Sequence, residues 1–166
     1  MKKIVSVIII LLSFLFTSVY AEEYKYVLDD AGILKKDTIE YINTYSDFLD
    51  KQANIDYYVV TVRSLDEYDL DTYSDIVYSN YVNNKKDRGL LILVSKKDRQ
   101  VKVIAGKGIS SVLTDEVINE YIDEYFISFL ANNEWDSGIK NGYTAFFKYL
   151  CLHLNIDSSG LVSLII

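Results

Sequence analysis

The sequence predicts an α/β fold, a three-layer α/β/α sandwich around a mixed four-stranded sheet. Strand-like and helix-like segments alternate in the order β-α-β-α-β-β-α-α, which indicates a sheet with helices on its faces. One strand-like segment, Leu90 to Val94, is apolar at five consecutive positions. This pattern is typical of a central strand that is covered on both faces. A length of 166 residues suits one domain, and the chain shows neither an internal repeat nor a linker.

The first half of the chain supplies two strands and two helices. The predicted segments are a strand from Tyr24 to Leu28, a helix from about 37 to 53, a strand from Ile55 to Val62 and a helix from about 70 to 83. Asp37 followed by Glu40 fits a capping box at the start of the first helix. Asp29 to Gly32 is predicted to form the turn before it. The acidic segment Asp66 to Asp71 lacks the spacing of an EF-hand loop, so it is interpreted as a helix cap and a solvated face.

The second half supplies a hairpin and the remaining helices. Leu90 to Val94 and the alternating residues 101–105 flank a charged turn, which predicts two antiparallel neighbours. Thr114 is predicted to be an N-cap, because acidic residues follow it in the favoured first turn. Apolar stripes predict one helix that runs through Tyr125 and a last helix from Trp135 to Leu150.

The N-terminal segment 1–21 is predicted to be a signal peptide. Lys2 and Lys3 form a positive start, the apolar run from Ile4 to Phe16 follows, and small residues precede the expected cleavage point. A retained membrane anchor is the alternative, but the apolar run is shorter than the roughly 20 residues that span a bilayer. The domain is therefore expected at 22–150, in a secreted or extracytoplasmic protein that is free or membrane-anchored.

The segment 151–166 is predicted to be a C-terminal tail. Its apolar ending LVSLII is too short to span a bilayer by itself. Two interpretations stay open. It is either a buried tail or the approach to a membrane helix that a longer chain would complete.

The composition excludes several classes of function. The net charge is −7, and it becomes −9 when Lys2 and Lys3 leave with a signal peptide. An acidic surface disfavours nucleic acid and anionic membranes, and it favours cations or basic partners. Cys151 is the one cysteine and His153 the one histidine, so an internal disulfide is impossible, and a Ser-His-Asp triad or a histidine-rich zinc site is not expected.

The glycine-rich loop AGKGISSVLTDE, which runs from Ala105 to Glu116, is the first candidate site. It is not a Walker A loop, and it matches the dinucleotide fingerprint only at Gly106 and Gly108. The backbone N–H groups of Gly106, Lys107 and Gly108 could bind an anion, helped by the N-terminus of the helix that follows. The spacing alone favours the alternative, a turn that only reverses the chain.

Carboxylates at predicted strand and helix ends form the second candidate site. Asp29 follows the first strand, Asp87 precedes the central strand and Asp115 starts a helix. Carboxylates that converge at one edge of the sheet would suit Ca²⁺ or another divalent cation. Each also has a structural explanation, since Asp29 favours a turn, Asp87 is solvated and Asp115 complements the helix dipole.

Four motifs, in the same order along the chain, resemble those of TPM domains. VLDDAGIL at Val27–Leu34 is similar to the opening motif V-x-D-x-A-G-x-L. DRGLLILVSKKDRQVKVIAGKGI at Asp87–Ile109 is similar to the D-x-G strand, charged turn and G-x-G loop of the family. LTDE and the later W-x-x-G-I from Trp135 to Ile139 complete the match. The resemblance covers roughly 24–150.

The resemblance implies an exported or lumenal α/β/α sandwich, which in bacteria commonly carries a signal peptide and a C-terminal membrane segment. It implies no single function, since TPM domains have been proposed as acid phosphatases and as calcium binders, and others act in photosystem repair or as receptor accessories. Residue by residue, it assigns Asp29, Asp87 and Asp115 to the acidic positions of the family, and Gly106 and Gly108 to its loop.

The chain departs from the family pattern at four positions close to these motifs. Arg88 stands where many members have asparagine, and Ile104 stands where many have glutamate. Lys107 replaces an aromatic residue, and Ser110 replaces an acid. The lost oxygens weaken a cation site, and the two gained cations make the same region better suited to an anion.

Three functions are expected, in this order. The first is an exported accessory or interaction module of the cell envelope, without strong catalysis, whose partner is an envelope or membrane protein and not nucleic acid. The second is a divalent-metal-dependent acid phosphatase, in which Asp29, Asp87 and Asp115 hold the metal while Lys107 and the loop amides stabilise the developing charge. The third is a domain that binds calcium for stability alone.

Overall fold

A computed structural model describes residues 25–82 and 87–162, so the predicted signal peptide lies outside the described residues. The strands are β1 (Val27–Asp29), β2 (Asp56–Val62), β3 (Gly89–Ser95) and β4 (Gln100–Ala105). The helices are α1 (Lys36–Ala53), α2 (Leu70–Tyr81), α3 (Asp115–Ile122), α4 (Ser128–Ala131), α5 (Trp135–His153) and α6 (Ser159–Val162), with a π-helical turn at Asp123–Ile127 between α3 and α4. The predicted order is confirmed as far as β4. After β4, the single helix predicted through Tyr125 is α3 with the π-helical turn and α4, the predicted last helix is α5, and α6 is additional.

The four strands form one mixed sheet in the order β1-β2-β3-β4. β1, β2 and β3 are parallel, and β4 pairs antiparallel with β3. The register places Asp29 opposite Thr61, and Gly89 opposite Asp56. β1 and β4 are therefore the edge strands, and the hairpin prediction for β3 and β4 is confirmed.

Helices cover both faces of the sheet, which confirms the three-layer architecture. On one face, residues of α1, α3 and α5 share a hydrophobic cluster with Tyr57 and Val59 of β2 and with alternate residues of β3. On the other face, α2 packs on Val60 and Val62 and on the remaining residues of β3. The two parallel crossovers step in the same direction across the sheet but lie on opposite faces. They therefore have opposite hands, and one of them is the rare left-handed form.

The strand β3 is the centre of the core. Each of its residues is buried, and Leu90 to Val94 are fully inaccessible to solvent. Even-numbered side chains face one cluster and odd-numbered side chains face the other, because strand side chains alternate. A continuous apolar run is the pattern that a strand buried on both faces requires.

The N-cap residues predicted from the sequence are confirmed for two of three helices. Asp69 caps α2 by accepting a hydrogen bond from the backbone N–H of Thr72 at 2.8 Å, and Thr114 caps α3, as predicted. The prediction that Asp37 caps α1 is wrong. The N-cap position is Lys35, whose side chain makes no capping hydrogen bond. Asp37 lies in the first turn, where its charge still suits the helix dipole.

The packed part of the chain extends beyond Leu150, where the apolar periodicity predicted the last helix to end. α5 ends at His153, beyond the predicted end at Leu150. Cys151 is buried within it, and Leu161 of α6 belongs to the main hydrophobic cluster. Among the described residues, no helix combines the length and apolarity needed to cross a membrane.

Three buried polar side chains join the helical layer to the sheet. The Ser46 hydroxyl of α1 donates a hydrogen bond to the Tyr57 carbonyl oxygen at 2.7 Å. Its oxygen lies 2.8 Å from the hydroxyl of Tyr143 of α5, which also donates to the Ile42 carbonyl at 3.2 Å. The Tyr57 and Tyr143 rings stack with centroids 4.2 Å apart. Polar groups in this environment are stable only when they are hydrogen-bonded.

We expect Tyr143→Phe to lower the free energy of unfolding by about 1–3 kcal/mol, because it removes a buried hydroxyl and leaves its partners less well satisfied. Urea unfolding measures the change. Tyr68→Phe is the matched control, since the Tyr68 side chain is exposed, and it should leave stability nearly unchanged. Equal losses in the two variants would contradict a role for the buried network.

The stability of the protein should also fall at alkaline pH. Burial raises the pKa of Tyr57 and of Tyr143 well above the usual value. Above the ordinary tyrosine pKa, the unfolded chain releases these protons while the folded chain keeps them. The contribution of these two protonated phenols to the free energy of unfolding is therefore complete below the ordinary tyrosine pKa, and it is lost as the pH rises above that value. Urea midpoints measured across this range should decrease, and the decrease should be smaller in a Tyr57→Phe, Tyr143→Phe double variant.

Candidate functional site

The candidate residues lie at two opposite ends of the sheet. Asp29 ends β1, at the carboxyl end of the parallel strands, while Asp87 and Gly106 lie beside the amino end of β3. The Asp29 partner on β2 is Thr61, and the Gly89 partner is Asp56, five residues away along β2. Five residues of strand span roughly 16 Å. The structure does not bring Asp29 together with Asp87.

The Asp29 carboxylate is used within its own turn. One oxygen accepts a hydrogen bond from the backbone N–H of Ile33 at 3.1 Å, and the other accepts one from Leu34 at 3.0 Å. The Thr61 hydroxyl donates to the same carboxylate, and its oxygen accepts from the backbone N–H of Ala31 at 3.3 Å. These contacts close the turn between β1 and α1, so the opening motif of the family resemblance has a structural role in this chain.

Asp87 and the glycine loop form a small mouth at the amino end of β3. The backbone N–H of Gly106 donates to the Gly89 carbonyl, and that of Gly108 donates to the Asp87 carbonyl, both at 2.7 Å. A cavity of about 260 Å³ is lined here by Tyr78, Asp87 and the residues from Ala105 to Lys107. Burial and then the nearby Asp87 and Asp56 carboxylates raise the pKa of Tyr78, so its phenol stays protonated.

In this loop, the backbone at Gly106 and Gly108 lies very close to the backbone at Asp87 and Gly89. A side-chain carbon at Gly106 would lie 2.4 Å from the Asp87 carbonyl oxygen and 2.6 Å from the Tyr78 hydroxyl. At Gly108 it would lie 2.6 Å from a side-chain carbon of Arg88. The N–H groups of Gly106 and Gly108 are engaged with the β3 segment, so they are not available to an anion. Both glycines therefore serve to hold the loop against β3.

Of the four departures from the family pattern, Lys107 lines this mouth, and Arg88, Ile104 and Ser110 do not. Lys107 is exposed beside Asp87, and the Ser110 hydroxyl donates to the Lys107 carbonyl at 3.2 Å. Ile104 packs against the cluster below α2. The Arg88 side chain turns away from the mouth, to a cavity of about 290 Å³ that Asp157 and Asn155 also line. Its buried Nε has no hydrogen-bond partner among the residues that the structure describes.

Asp115 lies in a different cavity, a groove along the outer edge of β4. This β4 groove, of about 430 Å³, is lined by Lys102 to Ala105 of the strand, by Asp71 and Asp75 of α2, and by Asp115 and Asn119 of α3. The Lys102 ammonium lies 2.8 Å from an Asp71 carboxylate oxygen. Ala105 borders both the groove and the mouth.

The predicted site residues therefore separate into three places. Asp87 and Lys107 line the mouth, Asp115 lines the β4 groove and Asp29 closes a turn at the far end of the sheet. Within 25–82 and 87–162, no three histidine, cysteine or acidic side chains cluster as a cation would need. Because Asp29 is remote and already hydrogen-bonded, Asp29, Asp87 and Asp115 do not fit one shared metal ion. Calcium binding at any one of them stays a prediction.

Sequence reasoning missed Asp71, Asp75, Lys102 and Asn119 as residues of a common surface. Asp71 and Asp75 are one helical turn apart on α2. Lys102 lies on the face of β4 that α2 covers, where it contacts Asp71. No local pattern in the sequence indicated this surface, because the strand order that leaves β4 with a free edge is visible only in the structure.

Gly106→Ala should lower the free energy of unfolding by about 1–3 kcal/mol, since the added carbon meets backbone that cannot move freely. Gly160→Ala is the control, because a side-chain carbon there meets nothing within 4 Å. Thermal unfolding of both variants measures the difference. A Gly106→Ala protein as stable as the control would show that the loop does not need this close contact.

Comparisons with known proteins agree with this fold. The model of the TPM domain family matches residues 27–149. The chain superposes on the solution structure of the N-terminal domain of a P. gingivalis protein with a TM-score of 0.74 and 23% identity, covering 81% of this chain and 87% of that one. No curated protein matches the chain at a significant level.

Two other solved structures share the fold. The N-terminal domain of the cg2496 protein from Corynebacterium glutamicum gives a TM-score of 0.58 at 14% identity, covering 80% of this chain and 83% of that one. The BA42 protein from the psychrophilic bacterium Bizionia argentinensis gives 0.59 at 19% identity, covering 71% and 81%. At these identities the likeness establishes the fold alone, whereas the family model covers most of the chain. The chain therefore belongs to the TPM domain family.

Proposed function

We propose that this TPM domain is an exported interaction module of the cell envelope, which binds an envelope or membrane protein and has no strong catalytic activity. The observation that carries the proposal is the β4 groove, where an open strand edge is flanked by charged helix residues. An edge strand with a formed groove beside it offers both backbone and side-chain contacts to a partner.

The charge of the groove supports a protein partner with basic side chains. Asp71, Asp75 and Asp115 face the groove, and among the described residues Lys102 is the one basic side chain that lines it. The whole chain carries a net charge of −7, so the surrounding field has the same sign. Such a field attracts basic partners and repels nucleic acid.

The placement of the acidic side chains supports an absence of strong metal-assisted catalysis. That mechanism needs several carboxylates on one ion, close to the group that reacts. Asp29 is remote from Asp87 and is hydrogen-bonded within its turn. Asp115 lines the groove rather than the mouth. The predicted export rests on the N-terminal sequence pattern, a positive start followed by an apolar run and small residues.

A phosphatase is the second candidate function, and one observation favours it. Lys107 lies beside Asp87 and Tyr78 at the mouth. This combination would offer a cation and a protonated phenol to a phosphoryl group. The mouth would then bind the phosphoryl group mainly through side chains, because the N–H groups of Gly106 and Gly108 are already engaged.

An assay of phosphate-ester hydrolysis distinguishes the interaction module from the phosphatase. With para-nitrophenyl phosphate as substrate, from acid to neutral pH and with Mg²⁺, Mn²⁺ or Ca²⁺ present, we expect hydrolysis at the rate of the blank. Hydrolysis that Asp87→Asn abolishes and that Glu67→Gln retains would overturn the proposal in favour of the phosphatase. Glu67 is a suitable control because it is exposed on a loop outside both cavities.

A further inference from the structure

The outer edge of β4 presents backbone groups that have no strand partner. Gly106 donates its N–H to the Gly89 carbonyl, so these two residues form a hydrogen-bonded pair of the antiparallel ladder. Such pairs alternate along the strands. Val101, Val103 and Ala105 therefore direct their N–H and C=O groups away from β3. In the described part of the chain, no other backbone or side chain bonds to these outward groups.

The space beside this edge has the dimensions of an added strand. The groove extends along four consecutive residues, Lys102 to Ala105, which corresponds to about 13 Å of strand. α2 lies on one side and α3 on the other. A strand laid beside β4 would send its side chains alternately towards the two helices.

The walls determine the chemistry of these side chains. Asp75 of α2 and Asp115 of α3 are exposed, and neither is paired with a residue that the structure describes. Asp71 is paired with Lys102. A strand with lysine or arginine at neighbouring positions would find a carboxylate on each face, whereas an acidic strand would be repelled.

A second copy of this chain fits the groove poorly. Antiparallel pairing of two β4 edges would bring Asp75 and Asp115 of both copies into one interface. Like charges at close range oppose such an association, and each copy carries a net charge of −7. The charge pattern therefore favours a different chain as the occupant.

We propose that the β4 groove binds an extended basic segment of a partner protein, which adds as a fifth strand to the sheet. This inference rests on the proposed function, because it specifies how the interaction module holds its partner. Backbone hydrogen bonds to Val101, Val103 and Ala105 provide the binding, and Asp75 and Asp115 select lysine or arginine side chains.

A short peptide tests the mode of binding. The probe is a seven-residue valine peptide with two adjacent lysines near its centre, so that one lysine faces each helix. It is capped at both ends, and its control has glutamate in place of each lysine. With the ¹⁵N-labelled chain, we expect the lysine peptide to slow the hydrogen exchange of the Val101, Val103 and Ala105 amides. The Lys102 and Ile104 amides are already bonded to β3 in this ladder, so their exchange should change little. The glutamate peptide should have no effect.

Two variants separate the backbone contribution from the charge contribution. Val101→Pro removes one outward N–H without removing a bond to β3, and it should weaken binding and reduce the slowing of exchange at the Val103 and Ala105 amides. Asp75→Lys should weaken binding by about tenfold, since it replaces an attraction by a repulsion. Asp37→Lys makes the same charge change on α1, which packs on β1 and β2, and should leave binding unchanged. If Val101→Pro does not fold, Asp75→Lys still decides the role of charge.

Each contrary outcome has a distinct meaning. Shift changes at Asp75 and Asp115 without slowed exchange along β4 would overturn strand addition but leave an interaction module in place. Slowed exchange that rises with protein concentration, together with a dimer in sedimentation, would make the occupant a second copy. No response to either peptide would overturn the inference. None of these results depends on the phosphatase assay, which tests the function separately.

Discussion

The burial of β3 is the constraint on which the rest of the structure depends. All its side chains are inaccessible to solvent, and it pairs with β2 on one edge and β4 on the other. Each fully buried leucine, isoleucine or valine side chain contributes about 1.5–3 kcal/mol relative to exposure. This contribution requires helices on both faces of the sheet. The strand order around β3 also leaves β4 as an edge strand, and the β4 groove lies along that edge.

The sequence predicted the architecture well because hydrophobic periodicity reports burial directly. The run from Leu90 to Val94 identified the central strand, and the stripes of α1 and α5 identified their buried faces. Helix ends depend on single hydrogen bonds, and there the prediction failed at Asp37. The π-helical turn at Asp123–Ile127 also gave no signal, because it only displaces the apolar stripe by one position while Phe126 remains buried.

The arrangement of the candidate site was harder to predict, although part of the information was present. Asp29 follows a strand and Asp87 precedes one. In parallel strands these two positions lie at opposite ends of the sheet. The expected convergence of the three carboxylates ignored this direction. The groove was missed for another reason. Asp75, Lys102 and Asp115 come from three distant segments, and no local pattern in any of them reports the others.

Cys151 adds a feature that concerns the folding of the chain rather than its site. It is the one cysteine of the sequence and lies buried in α5, where burial raises the pKa of its thiol. A buried, protonated thiol reacts slowly with disulfides and oxidants. The native state of this chain therefore contains no disulfide bond, and its folding requires no oxidant. The chain reaches the same covalent structure in oxidising and reducing surroundings, without the help of a disulfide-exchange enzyme.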